Sequence, residues 1–377
     1  MNTKLRPILT RSVSAWTASP TYNRRVSRAD IVIAGGGIIG LSTALELTAA
    51  GLRVTVLERH RAMSEASWAA AGMLAAGDPE NPSQLRPLSE LSIALYPAYL
   101  NTLERLSGLR VPVRTTKTLY GSGQNHAFAN PLSAEEIASR VPGLRPGSRS
   151  FLWVDEESLD PRDLCAALPK AAVAAGVTLV EDAPVTGVRS HTSGVEVATP
   201  HATYSAAHFV NCCGAWAGSL AGFQTIQPRK GQMVTVTLPP HRQLSCVIHT
   251  PEIYLVPRGD GRIVIGASVE QAGFDKSVQE TTIQALLDEA AILWPPIREA
   301  EIVETWAGLR PGSADGLPVI DASGEENCWI ATGHFRNGIL LAPATAQVMR
   351  QLILRENSSV NLSAFRCDRF LAAAVNH

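Results

Sequence analysis

Three glycines set the first chemical constraint. Gly35, Gly37 and Gly40 stand in G-x-G-x-x-G order within Gly35-Gly36-Gly37-Ile38-Ile39-Gly40. The first suits a tight turn, the second lets backbone approach a pyrophosphate, and the third lets helix and strand pack closely. A pyrophosphate would sit on the helix N-terminus that follows, where free amides and the dipole favour anions. The motif is weak alone, but its surroundings meet three further conditions. The apolar run Ile31-Val32-Ile33 reads as a buried strand before it. A helical stretch over 39–50 follows, ending at Gly51. A second strand over 53–58 carries Val54, Val56 and Leu57 and closes on Glu58. An acid there accepts hydrogen bonds from ribose hydroxyls and disfavours a 2′-phosphate. The unit therefore predicts dinucleotide binding, without separating NAD from FAD.

Other polar residues say less by themselves. No Ser/His/Asp or Cys/His set is convincing. Arg310 stands in Trp306-Ala307-Gly308-Leu309-Arg310-Pro311-Gly312. A guanidinium fork suits a carboxylate, although from the residues alone a surface ion pair is the plainer reading. Asp155, Glu156 and Glu157 read as a solvated loop before a helix, and His334 as structural. The six cysteines form no C-x-x-C pair, and Cys212 and Cys213 are adjacent. That pattern predicts a reduced, intracellular protein without a metal site.

The elements that must position these groups follow in order. Residues 89–106 have amphipathic helical spacing. Ser133 and Glu136 fit a capping box. Asp160-Pro161 starts a helix that Gly176 ends. Short strands follow to Val210, and 228–266 is mostly strand, with Asp260-Gly261 marking a hairpin between 254–256 and 262–265. A helix over 277–293 stops before Pro295-Pro296, a last buried strand spans 329–332, and a last helix spans 338–354. Strand–helix units at both ends around a strand-rich insertion predict one domain assembled from separated segments.

Composition bounds the class. The chain has 377 residues, 45% hydrophobic and 18% charged, enough for two domains. A net charge of −1 gives no electrostatic case for nucleic acid or an anionic membrane, and no apolar run is long enough to span a bilayer. Residues 1–29 are basic, Ser/Thr-rich and without acids, carrying Lys4, Arg6, Arg11, Arg24, Arg25 and Arg28. A targeting segment, even a twin-arginine signal, is one reading. A disordered extension is the plainer one, and the expected location is cytoplasmic.

Ala66-Ser67-Trp68-Ala69-Ala70-Ala71-Gly72-Met73-Leu74, the block around Arg310, and Gly333-His334-Phe335-Arg336-Asn337-Gly338-Ile339-Leu340-Leu341-Ala342-Pro343 together resemble the D-amino-acid oxidase superfamily. Within it they are most similar to the glycine oxidase branch of thiamine biosynthesis. The likeness runs from about Asp30 to Arg369, outside the N-terminal arm. It implies an α/β, two-domain fold: a Rossmann-like FAD-binding domain over 30–88, 158–226 and 306–369, and an antiparallel-sheet substrate domain over 89–157 and 227–305.

It also implies residue roles. Ile38, Ile39, Glu58 and Arg59 would hold the ADP half of FAD. Ala66, Ser67, Ala71, Gly72 and Met73 would meet the ribityl–flavin region, and Val185 the adenine. Gly333, His334, Phe335, Arg336, Asn337, Gly338, Ile339 and Leu340 would line the flavin, with the Gly338 helix N-terminus at its pyrimidine edge. Arg310 would clamp a substrate carboxylate with Tyr254 nearby and Arg336 at the entrance, while Glu252 and Val269 shape the pocket. The implied reaction oxidises glycine, sarcosine or a small D-amino acid, with O2 reduced to peroxide on non-covalent FAD. A homo-oligomer is expected. A dehydrogenase passing electrons to a quinone and a flavoprotein without turnover are the rival readings.

Overall fold

The computed structural model describes residues 24–25, 29–123, 126–220 and 226–370. Two sheets organise it. The first runs Val319–Ala322, Cys328–Thr332, Ala202–Asn211, Ala29–Ala34, Val54–Leu57, Thr178–Val180. Its central pairs are parallel. Ala29–Ala34 is apolar along its length because both its faces are covered. Ile31 and Ile33 pack into a core with Leu41, Leu164, Leu168 and Val348. Val32 and Ala34 face the opposite core, with Val197, Tyr204 and Phe209. The first face is layered by the helices Ile38–Ala49, Arg86–Ser107, Pro161–Ala174 and Gly338–Leu354. The second is covered by the hairpin Gly187–His191 and Gly194–Ala198, which pairs onto the long strand Ala202–Asn211.

The second sheet runs Glu301–Gly312, Gln227–Thr237, Arg262–Gly266, Tyr254–Pro257, Val247–His249, Val113–Gly121, Phe151–Leu159. It is antiparallel except where Val247–His249 pairs parallel with Val113–Gly121. A core of Val234, Val236, Ile263, Ile265 and Trp294 lies beneath it, capped by the helix Glu280–Leu293.

Local chemistry explains the element ends. Ser133 Oγ accepts from the Glu136 amide at 3.2 Å and Glu136 returns a carboxylate to the Ser133 amide at 2.8 Å, so the capping box forms. Asp160 Oδ1 accepts from the Arg162 amide at 3.1 Å and opens the helix Pro161–Ala174.

Four expectations need correction. The 155–157 acids are not a loop: they lie in the strand Phe151–Leu159, and Glu156 is buried. The helix Arg86–Ser107, expected with the substrate domain, packs on the first core through Leu88, Tyr96 and Leu103. Tyr96 Oη donates to Ile339 O at 2.5 Å, and Ser92 Oγ to Leu340 O at 2.5 Å. Residues 306–312, expected with the FAD-binding domain, continue the second sheet, paired from Trp306↔Met233 to Gly312↔Gln227. Of the arm over 1–29, Arg24–Arg25 pairs in parallel with Ala202 and Thr203 rather than standing free. The rest of that arm before Ala29, including the targeting alternative, lies outside the described residues.

Candidate active site

The C-terminal ends of the first sheet's strands and one face of the second sheet enclose a cavity of about 580 Å³. At one end is the glycine turn. Gly35 has φ +105°, and a Cβ there would lie 2.3 Å from Cys212 O. A Cβ on Gly40 would lie 2.0 Å from Gly35 O, so strand and helix meet through two bare backbones. Glu58 closes the turn: Oε2 accepts from the Gly36 amide at 2.7 Å and Oε1 from the His60 amide at 3.1 Å. No side chain of the preceding residues caps the helix Ile38–Ala49; Ser67 Oγ, from across the cavity, accepts from the Ile38 amide at 3.0 Å. Beside them the Arg59 guanidinium lies 3.4 Å over the Trp216 ring and 2.6 Å from Glu65.

The middle of the cavity is walled by Ala66–Met73 on one side and His334–Ile339 on the other. Arg258 Nη1 donates to Ala71 O at 2.8 Å and Leu159 O at 3.1 Å, fixing the first wall. On the second, the helix Gly338–Leu354 opens without a side-chain cap. His334 is 2% exposed and bonds Thr345 Oγ1 at 3.0 Å. Burial pushes its pKa down to about 3, so it is a neutral structural ring.

The far end is built by one cross-strand row of the second sheet. Tyr120, His249, Tyr254, Gly266, Met233 and Trp306 are successive partners, and the middle four line the cavity. Arg310 enters from the edge strand, its Nη1 donating to Ser268 O at 3.1 Å. Burial raises the Tyr254 phenol pKa, opposed by the nearby positive charge of Arg310. Gly231 makes room for this arginine: a Cβ there would lie 2.2 Å from Arg310 Nη1.

Every expected site residue lines this one cavity except Gly40, Gly333 and Leu340. Gly40 supports the turn from behind. Leu340, expected against the flavin, is instead buried among Leu41 and Val348 in the first core, because it points down the inner face of its helix. Arg336 is not a free cation: Asp78 holds Nη2 at 2.8 Å and Glu80 holds Nη1 at 2.9 Å. Glu252 pairs with Arg149 at 3.0 Å. Burial raises its carboxyl, but the Arg149 bond and charge, its own backbone amide and Thr250 together leave the pKa lowered. Val269 is two-thirds exposed at the rim (66%).

Sequence reasoning missed Asp78, Gly231, His249 and Trp216. His249 pairs with Tyr254 across the short 250–253 turn, whereas the hairpin signal at Asp260-Gly261 joins Tyr254–Pro257 to Arg262–Gly266. Nothing local marks any of the four.

Residues 30–352 match the model of a family described as FAD dependent oxidoreductase. The chain belongs to this family. It is 33% identical to a glycine oxidase of Geobacillus kaustophilus over 91% of this chain and 98% of that one. The crystal structure of glycine oxidase from the same organism superposes with a TM-score of 0.85 at 31% identity, covering 90% and 98%. A bifunctional protein ThiO/ThiG of Trichormus variabilis is 37% identical over 90% of this chain but only 55% of its own length. The chain thus spans about half of such bifunctional relatives.

Membership makes FAD the cofactor, and the cavity's donors and acceptors fit it. Two helix N-termini open on it without caps from their own preceding residues, and a glycine turn admits a pyrophosphate where side chains would clash. The buried carboxylate of Glu58 lies beyond the turn, as a ribose requires. Among the described residues no helix is long and apolar enough to cross a membrane.

Proposed function

We propose that this chain is an FAD-dependent oxidase of small amino acids, glycine foremost, with sarcosine and small D-amino acids as further substrates. One observation carries the reading. Arg310, held by the Ser268 carbonyl and beside the Tyr254 phenol, ends the cavity that the Gly35 turn begins. A carboxylate clamp and a dinucleotide cradle in one chamber are what an amino-acid oxidoreductase needs and a non-catalytic flavoprotein does not.

The residue roles follow. Ile38, Ile39, Glu58 and Arg59 would hold the ADP half, Val185 the adenine, and Ala66, Ser67, Ala71, Gly72 and Met73 with residues 334–339 the flavin. Bound FAD would supply the hydride acceptor for the substrate Cα, with O2 as the final oxidant giving peroxide. Arg310 binds the carboxylate through paired charge-assisted bonds and fixes its plane, with Tyr254 steadying the guanidinium. Met233 and Tyr254 line the far end, with Trp306 packed in the same cluster. The uncapped Gly338 end stabilises negative charge nearby. No side chain needs to take the Cα hydrogen, so positioning dominates.

FAD is held without a covalent bond. Cys212 and Cys213 line the cavity, but burial raises both thiols, Cys213 to about 12, so neither is a ready thiolate. The six unpaired thiols support a reducing, cytoplasmic setting. The expected homo-oligomer remains part of this reading. Likeness to the bifunctional relatives supports release of an imine for thiazole assembly in thiamine synthesis. Peroxide release by the purified protein with glycine tests the reading, and reduction of the flavin without peroxide would replace it with a dehydrogenase.

A further inference from the structure

His249 lies beside the carboxylate clamp and has no assigned part. It is 6% exposed, lines the cavity, and its ring sits 6.2 Å from that of Tyr254. Its Nδ1 is buried without a hydrogen-bond partner, 3.9 Å from Asp78 Oδ2. A buried nitrogen left unpaired is destabilising, so it asks for a purpose. Asp78 is itself buried and lines a second cleft of about 420 Å³, rimmed by exposed Ser83, Arg86 and Glu90. Imidazole and carboxylate therefore stand in series between the chamber and a solvent-facing cleft.

A small amino acid enters as a zwitterion, yet hydride leaves Cα readily only when the amine is neutral. One proton must therefore leave the nitrogen within the cavity. We propose, resting on the oxidase reading above, that His249 takes the ammonium proton of the bound substrate and Asp78 passes it to the second cleft. The substrate N–H bond breaks with its electron pair left on nitrogen, and the proton bonds to Nε2. The Nδ1 proton then goes to Asp78, and from there to water. This requires the tautomer with Nδ1–H toward Asp78, which leaves Nε2 for the chamber.

The surrounding charges suit the step. His249 is faced by Tyr120 and Tyr254 from the neighbouring strands, by Asp78 and Glu80 from the preceding loop, and by Arg336. Burial lowers its pKa, Asp78 and Glu80 oppose that, and Arg336 adds to it. The ring is thus neutral before substrate binds, and a carboxylate stabilises it once charged. The other buried candidates lack this arrangement. Glu156, held by Tyr120 Oη at 2.7 Å and the Gly77 amide at 2.6 Å, has no imidazole in ion-pair reach among the described residues, whereas Asp78, though also held by Arg336 at 2.8 Å, lies 3.9 Å from Nδ1 of His249. His334 bonds Thr345 with burial alone setting its pKa.

The test is anaerobic stopped-flow reduction of the flavin by glycine, from about pH 6.5 to about pH 10, in the wild type, His249→Gln and Asp78→Asn holoenzymes. Glycolate, a carboxylate without an amine, is titrated in parallel by flavin absorbance. His249→Gln is expected to reduce about 10-fold or more slowly near neutrality. It should approach wild type near pH 10, where the amine ionises unaided, with glycolate affinity within about twofold. Asp78→Asn should show the same recovery from a smaller loss. A neutral-pH rate within about twofold of wild type overturns the proposal. So does a deficit that persists at high pH, or one that weakens glycolate equally. A wild-type flavin that no small amine reduces instead removes the oxidase reading, and the relay with it.

Discussion

At the scale of single residues, Arg310 and Glu58 divide the site between them. Arg310 presents a planar fork whose neighbours are a carbonyl and a phenol, so a substrate carboxylate is its natural ionic partner. Arg310→Lys keeps the charge but loses the paired geometry. At about 1.5–3 kcal/mol for a hydrogen bond to a charged group, the KM for glycine should rise about 10- to 100-fold in steady-state assays, with FAD content unchanged. An unchanged KM would take the clamp role from Arg310. Glu58 is different because it holds its own turn. Glu58→Ala unpairs the buried Gly36 amide and removes the ribose acceptor, so FAD affinity should fall at least tenfold by fluorescence titration. His334 gives a pH prediction. Its folded pKa, about 3, lies below the ordinary histidine value. The unfolded chain therefore binds more protons between the two values, and stability falls as pH drops from about 6.5 toward 3. Chemical denaturation of the apoprotein should show that slope, and His334→Gln should flatten it.

At the scale of elements, the strand Gln227–Thr237 sets the clamp. Gly231 lies where Arg310 from the adjacent strand folds across it. Gly231→Ala should displace the guanidinium, so glycine KM rises while FAD binding and fold are retained. If KM stays put, the strand yields rather than the arginine. Ser133→Ala breaks the observed capping box and should cost about 1 kcal/mol of stability by melting, with no effect on turnover.

Elements were also where sequence and structure parted. The strand–turn–helix over 30–51 and the helix from Gly338 were legible because apolar runs and glycine placement act within a few residues. Phe151–Leu159 was not, because three acids in a row imitate a loop; only tertiary packing shows that Glu156 turns inward to meet Tyr120 and Gly77. The Arg86–Ser107 helix was legible as a helix but not in its place, since an amphipathic face does not say which core will bury it.

At the scale of the whole molecule, the chamber exists because two sheets meet across it. Arg162 spans the junction, stacked 4.1 Å over Trp68 and paired with Glu304 at 2.7 Å. Trp306 Nε1 donates to Ala69 O at 3.1 Å. The residues proposed for the cofactor come mostly from the first sheet and its loops, those proposed for the substrate mostly from the second. The sequence marked most of both groups through local motifs and a family likeness. The Tyr120–His249–Tyr254–Gly266–Met233–Trp306 row stayed hidden because it brings together residues far apart in sequence, fixed by strand register alone. Acid precipitation should release intact FAD into the supernatant, as a non-covalent site requires; flavin retained by the denatured chain would disprove that part. The most direct test of the central claim is peroxide production by the purified yellow protein with glycine, sarcosine, D-alanine and D-proline in parallel. Glycine turnover at least comparable to that of D-alanine is the result expected, and no peroxide from any of the four would contradict the account.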